Sequence, residues 1–513
     1  MEYGFLAILP PLLAIVLALI TKQTILSLTV GIWFGVTIIN SWNPILALPK
    51  MITDYFIPQI ANEWNASMLM LIVSCGGFVY LMKICGGAKA FGDAAVKKIR
   101  TRKGAQLATY ICAFAFVYTE PTLTLGSIMR PVTEKFNVSR VKLAYICDVM
   151  GCPFATLSPI TSYGAYATGL IATQFAVIGV SDNPWETFIK TIPLNLYAIF
   201  GMITLLYVIL RNVDIGPMFE AEHRAITTGQ LIGENDNPMG KYDLDEEKIF
   251  KNARLTIANF LVPIITLIIT IFSVILWSGD VSKNGVGGAF LNGNITLGIT
   301  LGFFLASVAA AIMGVKSGII KAGDIFSEWT KVVELNSQIP IILVLAWSMS
   351  AVTSSMDLKG YLVQLVEKST IAPGLTPMLI FIVGAFVAFS TGSSWGVWSI
   401  LMPIAIPMAH AFDIPYALMI GAALSGGVFG DHCSPISDTT ILASTAAGAD
   451  HVEHVRTQLP YSLVVAFCSA VGFAVGGLVN PYLGLAATAV LNVILLQALN
   501  RIAKRKYLQH SQV

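Results

Sequence analysis

The sequence predicts an all-α polytopic membrane protein, built as two related halves with discontinuous helices and two re-entrant hairpins. Three observations predict it. Hydrophobic residues make up 55% of the 513 residues and charged residues 12%, against about 25% charged in a soluble domain. Apolar runs near the spanning length of about 20 residues recur along nearly the whole chain, giving roughly eleven to thirteen spans or part-spans. Finally, runs broken by proline, glycine and polar residues fall at corresponding positions of the two halves. The formal net charge of +2 is uninformative, and no feature points to a nucleic-acid partner.

In chain order, Phe5 to Ile20 and Thr24 to Ile39 read as the first spans. Met1-Glu2-Tyr3-Gly4 lacks a basic n-region and a small-residue cleavage site, so the first run is expected to be retained. Trp42 to Trp64 reads as interfacial, because tryptophan favours headgroup level. Met68 to Ile84 is a third span. Lys89, Lys97, Lys98, Arg100, Arg102 and Lys103 then face only Asp93, a basic loop that the positive-inside rule assigns to the cytoplasm. A second basic segment holds Arg130, Lys135, Arg140 and Lys142. Between them the apolar stretch is broken by Tyr118-Thr119-Glu120-Pro121-Thr122 and is too short for an out-and-back crossing, which needs roughly 40 residues. A re-entrant hairpin near 105–129, with its tip at Glu120-Pro121, fits better than a single kinked span.

Residues 143–171 carry Asp148 and then Ser158-Pro159-Ile160-Thr161-Ser162. Proline removes a helix hydrogen bond, so this span is expected to be broken. Leu194 to Leu210 is another span, and Arg211 to Arg254 is a polar insert read as a linker without its own site. Spans at Leu255 to Trp277 and Ile295 to Met313 follow, then an amphipathic stretch, Val315 to Glu334, expected along the membrane surface. Ile339 to Met349 leads through a polar connection to residues 378–408, broken by Ser390-Thr391-Gly392-Ser393-Ser394-Trp395-Gly396, a second hairpin tip. A second broken helix spans 415–445, and two spans and Arg501, Lys504, Arg505 and Lys506 close the chain, placing the C-terminus in the cytoplasm. The division is thus a first transmembrane half, 1–212, a polar cytoplasmic linker, 213–254, a second half, 255–500, and a basic tail, 501–513.

The halves carry a repeat. Setting Pro131 on Pro407 also aligns Phe136 with Phe412, Gly151 with Gly427, and Ser158-Pro159-Ile160 with Ser434-Pro435-Ile436. Interrupted segments at matching positions are the sequence pointer to the binding site of an inverted-repeat secondary transporter. The acids are not duplicated: Asp431 and Asp438 face Ala155 and Ser162, and Glu120 faces Gly396. The halves therefore share one site.

That site centres on Gly430-Asp431-His432-Cys433-Ser434-Pro435-Ile436-Ser437-Asp438-Thr439-Thr440, a polar stretch between apolar runs. Charge at mid-bilayer costs at least about 2.5–3.5 kcal/mol, so it marks function. The proline break is expected to turn freed carbonyls outward, and these with hydroxyls and a carboxylate are oxygen ligands for a hard cation such as Na+. A carboxylate that holds either a proton or Na+ couples the two flows by competition. The cation and substrate candidates are Asp431, Ser434, Ser437, Asp438 and Thr439 at this break, Ser158, Thr161 and Ser162 at the other, Glu120 and Thr122 at the first hairpin, and Thr391, Ser393 and Ser394 at the second. Asp431 and Asp438 are the expected Na+ carboxylates. Asp438, Asp431, Glu120 and His432 are proton-coupling candidates, with His432 also readable as a hydrogen-bonding residue of a packed span. Asp148 is placed nearer an interface, Trp395 and Trp398 are read as packing or lid residues, and His451-Val452-Glu453-His454 as a solvated loop. The seven cysteines read as small buried side chains rather than disulfides.

These motifs resemble the NhaC-type Na+/H+ antiporter family. The resemblance rests on Gly430 through Leu442, on Ser390 through Gly396 continuing to Pro403, and on Met129-Arg130-Pro131-Val132-Thr133 followed by Lys142-Leu143-Ala144-Tyr145. It covers most of the chain and implies a plasma-membrane secondary transporter with elevator-like motion, Na+ and H+ as coupling ions, no other cofactor, and a homodimer. On it, Asp431, Ser434, Ser437 and Asp438 carry over as cation-site residues, with Thr391, Ser393 and Ser394 facing them. Many members have a paired Asp-Asp in the first hairpin where this chain has Val117-Tyr118, which leaves open a Na+- or H+-coupled carrier of a small organic solute such as an amino acid or carboxylate. A membrane enzyme is disfavoured, because Asp431 and His432 as helix neighbours point about 100° apart and form no relay.

Overall fold

The computed structural model describes residues 3–510 except 22, 88–89, 91–98, 117–120, 239–252, 337, 359–360, 362–371 and 436. Every named element among the described residues is helical. Among the described residues six helical runs are long and apolar enough to cross a membrane: Glu63–Met82, Leu196–Thr228, Ala258–Ser278, Ile295–Lys316, His451–Leu478 and Pro481–Arg505. The second run turns at Asn212, which is left-handed at φ 49°, so its apolar part is Leu196–Arg211. A further pair, Ile25–Ile39 and Pro44–Ala61, bends by 113°, where the sequence placed an interfacial stretch. Shorter apolar helices include Gly4–Ala14, Pro340–Ser355 and Pro373–Phe389.

Break one divides the first-half helix into Arg140–Val149, the short Cys152–Ala155 and Ser162–Ile178. Break two separates Tyr416–Cys433 from Asp438–Ala447. Both fall where proline was expected to interrupt the helix, and the restart after break one is capped by Thr161, whose hydroxyl accepts from Gly164 N. Hairpin two is Thr376–Thr391 and Ser394–Ala411, turned at Gly392, whose left-handed φ of 68° favours a residue without a Cβ. Hairpin one has arms Arg102–Phe116 and Pro121–Lys135 packed on each other; its tip, with Glu120, lies outside the described residues.

Hairpins and breaks interlock across the halves. Gly126 of hairpin one lies against Ala446 beyond break two. Tyr166, just after break one, donates its hydroxyl to Trp395 O of hairpin two at 2.8 Å. Gly426 and Gly430 let hairpin two lie directly on Tyr416–Cys433.

The polar insert packs on the helices beside it: Gly216–Thr228 buries Met218, Ala221 and Ala225, and Asn237 N donates to Asp450 Oδ2 at 2.7 Å. Apolar positions spaced three and four apart gave it a face to bury. The amphipathic stretch contributes a helix, Ile325–Asn336, docked on Glu63–Ile84 with Trp329 over Gly77.

Candidate functional site

Asp431 lies in the last turn of Tyr416–Cys433, 1% exposed. A buried charge survives only with hydrogen-bond partners, and three elements supply them. From hairpin two, Ser394 donates to Oδ2 through its hydroxyl at 2.7 Å and its amide at 3.3 Å. Ser394 opens its helix, so the carboxylate also meets a positive helix end. From break two, Ser437 and Thr439 donate their hydroxyls to Oδ1 at 2.6 and 3.4 Å. From the first half comes Cys152, whose Sγ donates to Oδ2 at 3.5 Å. One carboxylate thus joins both halves. Three hydroxyls that now donate to it can rotate and offer lone pairs instead, which is the ligand set of a hard monovalent cation. The other oxygens around the carboxylate are the hydroxyls of Ser394, Ser437 and Thr439.

The expectation of outward-facing carbonyls is corrected. Thr440 donates its hydroxyl to Asp431 O and His432 O, each at 3.3 Å, and Gln458 Nε2 donates to His432 O. The carbonyls freed by the break are therefore capped from within, because an orphaned buried acceptor is costly.

The other sequence candidates divide. Ser434 donates to Phe389 O at 2.6 Å and Thr391 to Val387 O at 2.9 Å, while Ser393 caps Gly396 N, so these three fix hairpin two in place. Thr161 donates to Ala155 O and Ser158 O at 2.8 and 3.0 Å and caps Gly164 N, holding break one together. Ser158 and Ser162 are half-buried there, and Thr122 lies against Gly151. Asp438 is the first residue of its helix; its side chain, like all of Glu120, lies outside the described residues. Trp398 is fully buried with its indole N–H on Leu424 O at 3.2 Å, and with Trp395, Tyr163 and Tyr166 it forms an aromatic cluster with ring centroids 4.4–6.3 Å apart.

A second polar layer lies behind the carboxylate. His432 Nδ1 is 2.8 Å from the Tyr197 hydroxyl. Gln458 Nε2 donates to Asp148 Oδ2 at 2.8 Å, and its Oε1 is 2.8 Å from His454 Nε2. Asp148 and His454 are both 0% exposed. Asp148 is therefore at the core rather than an interface, and His451–Leu478 is a helix that buries His454, not a solvated loop. The signal available was spacing: His454 and Gln458 lie four apart, on one helix face. Cys152, Thr440, Ser444 and Tyr197 were also missed.

Gly430 sets the distance between these parts. A methyl there would fall inside contact distance of the Phe389 amide and the Ala388 backbone. Backbone cannot rotate away, so Gly430→Ala is expected to cost about 1–3 kcal/mol and to weaken Na+ activation by moving Ser394. Thermal melting together with a Na+ titration of transport checks this; a wild-type result in both would mean that the hairpin yields freely.

Broken helices from two halves and a hairpin closing on one buried carboxylate define a secondary transporter. Residues 154–478 match the Na+/H+ antiporter family, and the chain belongs to it. It is a multi-pass membrane protein whose family moves Na+ and H+. Over 512 residues it is 32% identical to an uncharacterized protein of Haemophilus influenzae, covering 96% of this chain and 95% of that one. A shorter region of 112 residues, 21% of this chain and 24% of the other, is 35% identical to the malate-2H(+)/Na(+)-lactate antiporter of Bacillus subtilis. The fold is similar to that of the Alcanivorax borkumensis YdaH transporter, at TM-score 0.58 and 13% identity over 84% of this chain and 88% of that one.

Proposed function

We propose that the protein exchanges Na+ for H+ across the plasma membrane, with Asp431 binding the two cations alternately. The observation that carries this is the set of rotatable hydroxyls on the buried Asp431 carboxylate. With Na+ present, the oxygens of Ser394, Ser437 and Thr439 turn to the ion and the charge is matched. Without it, a proton neutralises the carboxylate, since an unpaired charge in low dielectric is costly. Competition for one group couples the flows. Asp438 and Glu120 are assigned as further acids of the pathway. A cytoplasmic C-terminus and a homodimer complete the proposal.

A second reading is a carrier of a small carboxylate or amino acid coupled to Na+ or H+. It is favoured by the similarity to a malate and lactate exchanger over part of the chain and by Val117-Tyr118 in the first hairpin. Purified protein in liposomes loaded with a pH dye separates the two. A Na+ pulse that moves protons in the absence of any organic solute is the expected result. Na+ flux that appears only with an organic solute, and no proton movement, would replace antiport with the second reading.

A further inference from the structure

Antiport at Asp431 requires a path for the proton, and a polar chain behind the carboxylate provides a distinct one. His454 Nε2 is 2.8 Å from Gln458 Oε1 and 4.0 Å from Asp148 Oδ2. His454 Nδ1 is 2.8 Å from Ser444 Oγ, and Ser444 Oγ is 3.0 Å from His451 Nδ1. His451 is half-buried, with Nε2 2.7 Å from the carbonyl of exposed Pro435. The chain therefore runs from a fully buried acid to the exposed edge of break two.

Hydrogen-bond accounting fixes the tautomers. The Gln458 amide nitrogen faces two acceptors, Asp148 Oδ2 and His432 O, so its Oε1 faces His454 and can only accept. His454 Nε2 therefore carries a hydrogen. Pro435 O also only accepts, so His451 Nε2 carries one too. With both rings neutral, each Nδ1 is an acceptor, and both face the single hydroxyl hydrogen of Ser444, which Thr440 O at 2.8 Å also seeks. One added proton resolves the shortage. It sits on one Nδ1 and donates to Ser444 Oγ, while Ser444 donates its own hydrogen to the other Nδ1. A concerted shift of both hydrogens across Ser444 moves the charge from one imidazole to the other.

Charged and polar groups face this chain from each element packed against it. From Arg140–Val149 come Asp148 and Arg140, the latter donating to Gly448 O at 3.0 Å on the turn before His451. From Pro121–Lys135 comes Arg130, against the same glycine and paired with Glu134. Tyr416–Cys433 contributes His432, and Asp438–Ala447 contributes the hydroxyls of Ser444 and Thr440. On its own helix the group has Glu453, paired with Arg456, and the capping Asp450.

We propose that His451, Ser444 and His454 form the entry path for the protons of this transporter, delivering one at a time to Asp148, behind the Asp431 carboxylate at which proton and Na+ compete. The path rests on the antiport reading. At the inner end His454 Nε2–H passes its hydrogen to the Asp148 carboxylate as Gln458 swings aside, and Nδ1 takes the replacement from Ser444.

Two fluxes in proteoliposomes test it: Na+-driven proton movement, and exchange of radioactive Na+ for Na+, which needs no proton. In Ser444→Ala and His454→Gln the first is expected to fall by about 100-fold, the scale of a lost proton-transfer group, while the second persists. Ser444→Thr keeps the hydroxyl and is expected to restore proton movement. In His451→Ala, added imidazole is expected to recover part of the proton flux. Equal loss of both fluxes in Ser444→Ala and His454→Gln, or wild-type proton flux in either, would overturn the path while leaving antiport in place. A wild-type protein that moves no protons on a Na+ pulse would overturn antiport, and the path with it.

Discussion

Asp431→Asn is expected to abolish Na+-driven proton movement and to weaken Na+ activation of any residual flux by about 100-fold or more. Removing one member of a buried, hydrogen-bonded charge pair costs roughly 2–5 kcal/mol, and each 1.4 kcal/mol is about tenfold in affinity. Asparagine keeps the volume and can still accept from Ser437 and Thr439 at Oδ1. It then sets an NH2 group against the Ser394 amide, two donors facing each other. The helix start at Ser394 loses its counter-charge, and no proton can be exchanged at the site. Melting close to wild type together with absent transport is the expected pair of results. Wild-type Na+ activation in this variant would remove Asp431 from the cation site.

The break at Pro435 and the hairpin turn at Gly392 were legible because proline and glycine act locally: one removes a helix hydrogen bond, the other takes a left-handed φ. Asp431 was legible because charge between apolar runs has few packing explanations. The repeat further implied that both halves meet at one site, and the Cys152 contact joins them across 279 positions of sequence. That contact itself has no local signature, which is why Cys152 was passed over for Ser158 and Thr161. The Thr161 hydroxyl is held by the carbonyls of its own break. His454 was misplaced for a related reason. His451-Val452-Glu453-His454 is polar on the face seen in sequence, yet Asp450 caps a helix there through Glu453 N at 2.9 Å, and one side of that helix turns inward.

Loss of the Lys142 ammonium is expected to be the most destabilising change away from the site, because this residue of the second basic segment is not a solvated orientation charge. Its side chain is 0% exposed and its Nζ is 2.5 Å from Asp214 Oδ1. The ammonium also stands 5.8 and 5.7 Å from the ring centroids of Tyr145 and Tyr461, and the Tyr461 hydroxyl donates to the same Asp214 oxygen at 3.1 Å. Asn500 Nδ2 holds the Asp214 carbonyl at 2.8 Å. One cation therefore ties the helix before break one to the polar insert, to His451–Leu478 and to the final helix. Breaking a buried pair by deleting one partner costs on the order of 3–5 kcal/mol, since the other charge is stranded. Lys142→Met, which keeps the length, is accordingly expected to lower the melting temperature by several degrees. Lys142→Met with Asp214→Asn is expected to recover most of it, because neither charge is then buried alone. A single variant that melts like the wild type would mean that Asp214 turns to water when unpaired. The insert then docks through Met218, Ala221 and Ala225 alone, and the two halves are joined by packing rather than by this charge.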